Sequence, residues 1–338
     1  TYGKTGRLSS YTTHLLELQL PATTTMSHDP LGRTLTTTRA KGTDQESSQA
    51  LSYDAMGNVV STTDGLGHKA SHAYDILGQR TKTTDPLGNT TSYEYGPLGN
   101  VVRIIDPLQG ITQRAFDALG RLTLETDPEQ RTTAYLYDGM NRLAGYRNPA
   151  GQEFRFSYDA LSRRTSRTEP DGTSQSYQYD LAGRLVSRTK ADGAIISYQY
   201  RVDGKLISHQ WQDAPETKVS YQYDELGRMT DIDTAQHKLS YSYDALGNKI
   251  SETQHWKDLK HQATVSYTHT SDRRPLTLSH NDQTLHYSWG GAGQLASVKH
   301  GERSYHYKYD KAGRRSTLTR PSGISDHYHR DASGRLSS

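Results

Sequence analysis

An aromatic residue opening a turn-like tetrapeptide, usually Asp-x-x-Gly, returns every 21 residues along the middle of the chain. It stands at Tyr53, Tyr74, Tyr95, Phe116, Tyr137, Tyr158, Tyr179 and Tyr200, seven identical intervals. Looser copies begin at Tyr2 and His28 upstream and at Tyr223, Tyr243, Tyr267, Trp289, Tyr309 and Arg330 downstream, sixteen in all. A period this short leaves room for one supersecondary unit per copy, so the fold must be a stack in which each copy leans mainly on its neighbours.

One copy shows what that unit is. Asp85-Pro86-Leu87-Gly88 is a turn: Asp offers a local acceptor, Pro presets φ, and Gly takes the left-handed position. Thr90-Thr91-Ser92-Tyr93-Glu94-Tyr95 alternates with the period of a half-buried strand. A second turn, as in Asp117-Ala118-Leu119-Gly120, leads to a return strand such as Arg121-Leu122-Thr123-Leu124-Glu125-Thr126. The unit is a β-hairpin with two short turns. The chain is therefore expected to be all-β, a long antiparallel hairpin ribbon. About thirty-two strands at roughly 4.8 Å each make a ribbon on the order of 150 Å long, which must twist and coil, and closed once on itself would form a ring roughly 50 Å across. No segment reads as a helix; the best candidate, residues 13 to 20, is brief and ends at Pro21. Three zones of one continuous array are expected: irregular repeats over 1–50 with an insertion-like stretch from 34 to 49, regular repeats over 51–210, and divergent repeats over 211–338.

Composition fixes how such a ribbon is held. Leu, Ile, Val and Phe make up only about 16% of the chain, a level at which disorder becomes the usual expectation, yet 24 Tyr stand against 3 Phe and 3 Trp and the formal net charge is only +3. Tyr buries an apolar face while its hydroxyl finds a partner, which suits a thin wet sheet and leaves any enclosed space hollow. The absence of cysteine excludes disulfides, thiolate zinc sites and Cys nucleophiles. No apolar run approaches the ~18 residues of a membrane span, so a soluble chain is expected. It opens at Thr1 inside a repeat, without a signal peptide, and is expected to be a piece of a longer polypeptide.

The remaining chemistry-bearing residues read as structure. Asp54, Asp117 and Asp180 sit at the first position of turns, where Asp is favoured for its own backbone hydrogen bonds. Asp231-Ile232-Asp233 lacks the Gly and terminal Glu of a calcium loop. Gly290-Gly291-Ala292-Gly293 looks like a phosphate loop but falls at a motif turn, with Trp289 in place of Tyr and no helix to follow. His255 and His261 flank Trp256 without helical spacing, and His286, His300 and His306 fall on strand-like segments. Asn89-Thr90-Thr91 is an incidental glycosylation sequon. Arg33, Arg121, Arg184, Arg228 and Arg314 form a potential basic stripe, but each is matched by a motif Asp. Arg–Asp ladders between neighbouring strands are expected instead of nucleic-acid binding. No nucleophile elbow or triad spacing appears. The chain is expected to be no enzyme and to hold no cofactor or metal.

The motif itself resembles that of a known family. Its carriers are Tyr53-Asp54-Ala55-Met56-Gly57-Asn58, Phe116-Asp117-Ala118-Leu119-Gly120-Arg121, Tyr158-Asp159-Ala160-Leu161-Ser162-Arg163, Tyr223-Asp224-Glu225-Leu226-Gly227-Arg228 and Tyr309-Asp310-Lys311-Ala312-Gly313-Arg314, joined by Tyr74, Asp75, Gly78 and by Tyr179, Asp180, Gly183, Arg184. These resemble the Rhs/YD-repeat proteins, which include bacterial polymorphic toxins, insecticidal toxin-complex B/C components and, distantly, the teneurins. The resemblance implies a ribbon spiralled into a hollow cocoon or barrel-like shell that encloses a cytotoxic C-terminal domain until delivery into a target cell. It implies as partners the enclosed toxin domain and the remaining shell repeats, and a secretion spike or toxin-complex component. The implied setting is a bacterial effector that stays cytoplasmic before export and serves interbacterial competition. The closing core segment of that family, with its self-cleaving aspartates, is not found here, nor is a spike-binding start, so type VI secretion and toxin-complex delivery both stay open.

Two functions remain from the residues: containment by a polar-lined wall, and adhesion, in which Tyr-rich hairpins stack on glycan. Adhesive repeats usually carry Trp-Tyr-Tyr clusters, which these lack, so containment is preferred and glycan binding stays as an added role.

Overall fold

The computed structural model describes residues 10–13, 22–42 and 46–337. Among these are thirty β-strands and no helix, assigned to one sheet. The helix candidate at residues 13 to 20 and the first motif at Tyr2 lie almost wholly outside the described residues. The stretch from 34 to 49 is not an insertion: Thr34–Arg39 and Ser47–Tyr53 are strands paired antiparallel, with Thr36 opposite Ala50. Its Thr and Ser content reads as polar loop by composition but suits a strand wet on one face.

Strands adjacent in sequence pair antiparallel through Ser10–Tyr95, Ile111–Trp256 and Pro275–His327. The chain forms two compact units. One comprises Thr1–Tyr95, Ile104–Gln109 and Ser266–Ser338; the other comprises Gly96–Arg103 and Gly110–Val265.

Each motif turn has the same construction. At residues 117 to 121 the Asp117 N–H donates to the Arg121 carbonyl at 3.0 Å, and the Gly120 N–H donates back to the Asp117 carbonyl at 2.9 Å. The pairing register slips by one residue just before the aromatic, between Ala115 and Phe116. This is a tight turn followed by a bulge, and the bulge residue must sit at positive φ. Gly57, Gly78, Gly120, Gly183, Gly227 and Gly313 all do, with φ between 76° and 93°. Gln130 takes the same position at φ 62°, and its exposed side chain has gained nothing in return. Left-handed backbone costs a residue with a Cβ roughly 1–2 kcal/mol, partly offset by the extra freedom glycine loses on folding. Gln130→Gly is therefore expected to stabilise the chain by up to about 1 kcal/mol, read as a rise in the urea midpoint at constant m-value.

The sheet has little core. Ala40 is the one buried apolar residue among the described residues, 1% exposed. In the second unit one face carries half-buried rings: Tyr146 stacks on Phe154 with centroids 4.6 Å apart, and His209 lies between Tyr198 and Tyr221 at 6.1 and 5.9 Å. The opposite face carries small hydroxyl residues in register, with Ser166 between Ser157 and Ser176. Elsewhere in the ribbon such pairs hydrogen-bond across strands, as Ser52 with Ser61 at 2.6 Å and Ser288 with Ser297 at 2.7 Å. Rings on one face and hydroxyls on the other follow from the strand period of two.

Candidate functional site

The repeated motif builds a rivet between consecutive hairpins. Within a turn, the Asp159 carboxylate accepts the Leu161 N–H at 2.9 Å and the Arg163 N–H at 3.0 Å through Oδ1, while Arg163 Nε donates to Oδ2 at 2.6 Å. The same Arg163 reaches forward to the next copy. Its terminal nitrogen donates to the Asp180 carbonyl at 2.9 Å, and its guanidinium lies over the Tyr179 ring, 4.9 Å from the centroid. Tyr179 closes the circuit by donating its hydroxyl to the Arg164 carbonyl at 2.9 Å.

This unit recurs along the array. Arg142 joins Asp138 to Tyr158, Arg184 joins Asp180 to Tyr200, and Arg228 joins Asp224 to Tyr243. Arg121 pairs with Asp117, lies over Tyr137 and reaches Asn141 Oδ1 at 2.9 Å. Tyr53, Tyr74, Tyr223 and Tyr309 donate their hydroxyls to the carbonyls of Thr34, Val59, Leu206 and Leu295. Trp289 keeps the role through its indole N–H, which donates to the Pro275 carbonyl at 2.7 Å. Asn58 replaces Arg in its copy and binds the Asp54 carboxylate at 2.9 Å. Phe116 has no hydroxyl to donate.

The Arg–Asp pairs thus lie inside each turn, four residues apart, and not between neighbouring strands as expected. The turn closes in five residues, so Asp and Arg face one another across its mouth. What spans copies is arginine on the next ring and tyrosine on a carbonyl. The sequence carried this signal, since each motif Arg precedes the next motif aromatic by about sixteen residues.

The carboxylates answer to this geometry. The Arg121 side chain, with its backbone N–H, holds Asp117 below the usual carboxylate range, and the Asn58 side chain does the same for Asp54. At Asp224 partial desolvation pulls upward and is outweighed by the backbone and side-chain hydrogen bonds from Arg228. An Asp engaged through both carboxylate oxygens is a cap, not a free base. Among the described residues no cluster of His, Cys, Asp and Glu is placed to hold a metal ion.

Inside the first unit, early and late repeats meet at a seam. The Ser48 N–H donates to the Lys311 carbonyl at 3.3 Å, Ser333 donates its hydroxyl to the Asp85 carboxylate at 3.0 Å, and Arg314 lies 3.7 Å from Asp64. A Cβ added at Gly65 would lie 2.0 Å from the Lys311 carbonyl oxygen. Beside this contact is a polar cleft of about 440 Å³ whose lining includes Arg39, His68, Asp64, Arg314 and the hydroxyl residues Ser47 and Thr62.

Comparison with known proteins gives a consistent answer. The Teneurin YD-shell profile matches residues 1–170 and 202–329, and the RHS Repeat profile matches 158–195. No curated protein sequence matches the chain. Among solved structures, TcdB2-TccC3-TEV is similar at a TM-score of 0.66 and 14% identity over 94% of this chain and 22% of that one. TcdB2-TccC3 gives 0.65 and 14% over 99% and 24%, and the Photorhabdus luminescens Tc holotoxin pore gives 0.58 and 13% over 93% and 22%. The chain spans less than a quarter of the length of these solved chains, and at this identity the likeness is one of fold. With the motif in register from the first copies to the last and the YD-shell profile matching most of its length, the chain belongs to the teneurin YD-shell family.

Proposed function

We propose that the chain is a wall segment of a toxin shell, which encloses and shields a cytotoxic domain of its parent polypeptide until delivery into a target cell. The observation that carries this reading is the seam: repeats more than two hundred residues apart lie side by side in one unit, held by Ser48 to Lys311 and Ser333 to Asp85. A ribbon whose coils meet in this way makes a surface out of what would otherwise be a strip. The rivets support the same role, because they spend the motif's charged and aromatic groups on joining hairpins and not on holding a ligand. Containment works by sterics and needs no catalytic residue. The similar structures include a Tc holotoxin pore, which supports toxin-complex components as partners and export from a bacterial cell as the route. Type VI delivery and a part in interbacterial competition belong to the same reading.

The adhesive alternative asks for open aromatic platforms. Trp256 lies against His261, Trp211 lies under Lys190, and Trp289 is spent on Pro275, so containment remains the reading the side chains favour.

The test is limited proteolysis, with a matching cryo-electron-microscopy map, of the full-length polypeptide that carries this chain. The domain following the shell should resist cleavage and appear as density inside a cavity, and become cleavable once the shell is opened. Rapid cleavage of that domain in an intact shell, or a solid solenoid enclosing nothing, would turn the reading to adhesion.

A further inference from the structure

One junction in the second unit is built from different residues. Between the copies that open at Tyr95 and Phe116, Gly96 stands for the motif Asp, Asn100 for the motif Arg, and Phe116 for the Tyr that would donate its hydroxyl. It is the one junction, among the described residues, that changes all three. The turn itself is kept: the Gly96 N–H donates to the Asn100 carbonyl at 2.9 Å, and the Gly99 N–H to the Gly96 carbonyl at 2.9 Å. Asn100 donates its side-chain amide to the Gly120 carbonyl at 3.5 Å, near the limit for such a bond.

Other copies of the same unit show what the remaining groups can hold. Over Tyr137, Tyr158, Tyr179, Tyr200 and Tyr243 a guanidinium lies 4.6 to 5.1 Å from the ring centroid. In the last four, that guanidinium also donates, at 2.8 to 2.9 Å, to the carbonyl of the residue after the ring. The carbonyl takes a turn N–H as well, as Asp180 takes that of Gly183 at 3.0 Å. At the changed junction the Phe116 ring and the Asp117 carbonyl stand in the equivalent places, and Asp117 accepts the Gly120 N–H at 2.9 Å. Both residues line an open cleft of about 240 Å³, walled further by Leu98, Val102 and Ala115. Arg114 also borders it, but is paired with Glu125 at 2.8 Å and adds no net charge.

We propose that this cleft binds a guanidinium, the side chain of an arginine presented by another polypeptide segment, stacked on Phe116 and donating to the Asp117 carbonyl. In five other copies the chain itself puts arginine on the equivalent ring. A guanidinium is planar, so it covers a ring face while donating in its own plane. The apolar walls suit the aliphatic stem that carries it. Gly96 supplies no carboxylate, so the bound cation lacks the partner that Asp159 gives Arg163. Affinity for an isolated guanidinium is therefore low, with a dissociation constant on the order of 10 mM. An arginine tethered within the same assembly meets the cleft at a comparable effective concentration. The inference goes beyond the shell reading and does not depend on it.

The test is titration of the methyl-labelled chain with ethylguanidinium, followed by nuclear magnetic resonance up to about 50 mM, far below denaturing concentrations. The methyl signals of Leu98, Val102 and Ala115 should shift and saturate, with a dissociation constant on the order of 10 mM. Asn100→Arg restores the motif residue, whose own guanidinium then covers Phe116, and binding should weaken at least ~5-fold. Phe116→Leu keeps an apolar wall without the ring and should weaken binding by a similar factor. Circular dichroism should match the parent in both variants, since Arg and Leu suit these positions. Absence of a saturable shift in the parent overturns the proposal. So do equal shifts with uncharged ethylurea, or an Asn100→Arg variant that binds as the parent does.

Discussion

Replacing Gly65 by proline should open the seam of the first unit while leaving its own turn intact. The five turns that follow on the same rim place Pro86, Pro107, Pro128, Pro149 and Pro170 at the equivalent position, so proline suits the turn. Position 65 has glycine instead, and a Cβ there would overlap the Lys311 backbone at 2.0 Å. Real contacts of this kind need more than 3 Å, and the obstacle is backbone, which cannot rotate aside. The early and late repeats must therefore separate by about an ångström or more, enough to break a Ser48–Lys311 hydrogen bond that already spans 3.3 Å. Because the chain has no native cysteine, Ser48→Cys with Lys311→Cys gives a clean reporter. Oxidation should form the disulfide readily in the parent and at least ~10-fold less in the Gly65→Pro background, since bonding needs the Cα atoms within about 7 Å. Ala191→Pro, at the same turn position in the second unit, should leave the cross-link unchanged. Undiminished cross-linking in Gly65→Pro would mean that the seam does not depend on this close approach.

Gly65 also shows how far the sequence could be read. That this turn departs from its neighbours is visible in the sequence, yet only the fold says that the departure makes room for Lys311, because the contact joins residues far apart in the chain. The local rules were legible throughout. The period of 21, the Asp-x-x-Gly turns and the alternating Tyr strands yield an antiparallel hairpin ribbon without further information, and the positive φ of the motif glycines follows from the turn. Polarity misled over residues 34 to 49, where strand pairing with neighbours outweighs the loop-like composition. The candidate site was half legible. Asp as a local cap and Arg as its counterion could be anticipated from type and spacing, but their pairing was expected across strands, because spacing alone does not say that the turn brings them face to face. The stacking of Arg163 on Tyr179 and the tyrosine-to-carbonyl bonds depend on the register of neighbouring hairpins, which a bulge shifts by one residue in these copies. A single-residue shift decides which face a side chain occupies, so such contacts become readable only once the bulge is placed.

Acid should dismantle the ribbon, because most copies carry the same titrating cap. Asp54, Asp85, Asp117, Asp138, Asp159, Asp180 and Asp331 are all held below their ordinary value of 3.8 in the folded chain. A carboxylate depressed by folding contributes stability that is fully present above its unfolded pKa and is lost as pH falls through its folded pKa. The sign is therefore fixed: the melting temperature should be flat from pH 7 to about pH 5, begin to fall near pH 4, and drop steeply below it. Each exposed Arg–Asp pair contributes little by itself. The effect becomes large by repetition, since unfolding many copies takes up one proton per cap. Protonation also weakens the acceptor that holds the turn N–H groups, so each capped copy loosens at the mouth of its own hairpin. Because the copies lean mainly on their neighbours, loss of structure should spread over successive repeats instead of occurring in one step. Substituting Asp117→Asn, Asp159→Asn and Asp180→Asn together should lower stability at pH 7 yet flatten the acid limb, as three caps no longer titrate. Melting followed by circular dichroism between pH 7 and pH 2.5 measures both limbs. A melting temperature that stays constant down to pH 3 would show that the capped carboxylates do not hold the ribbon together.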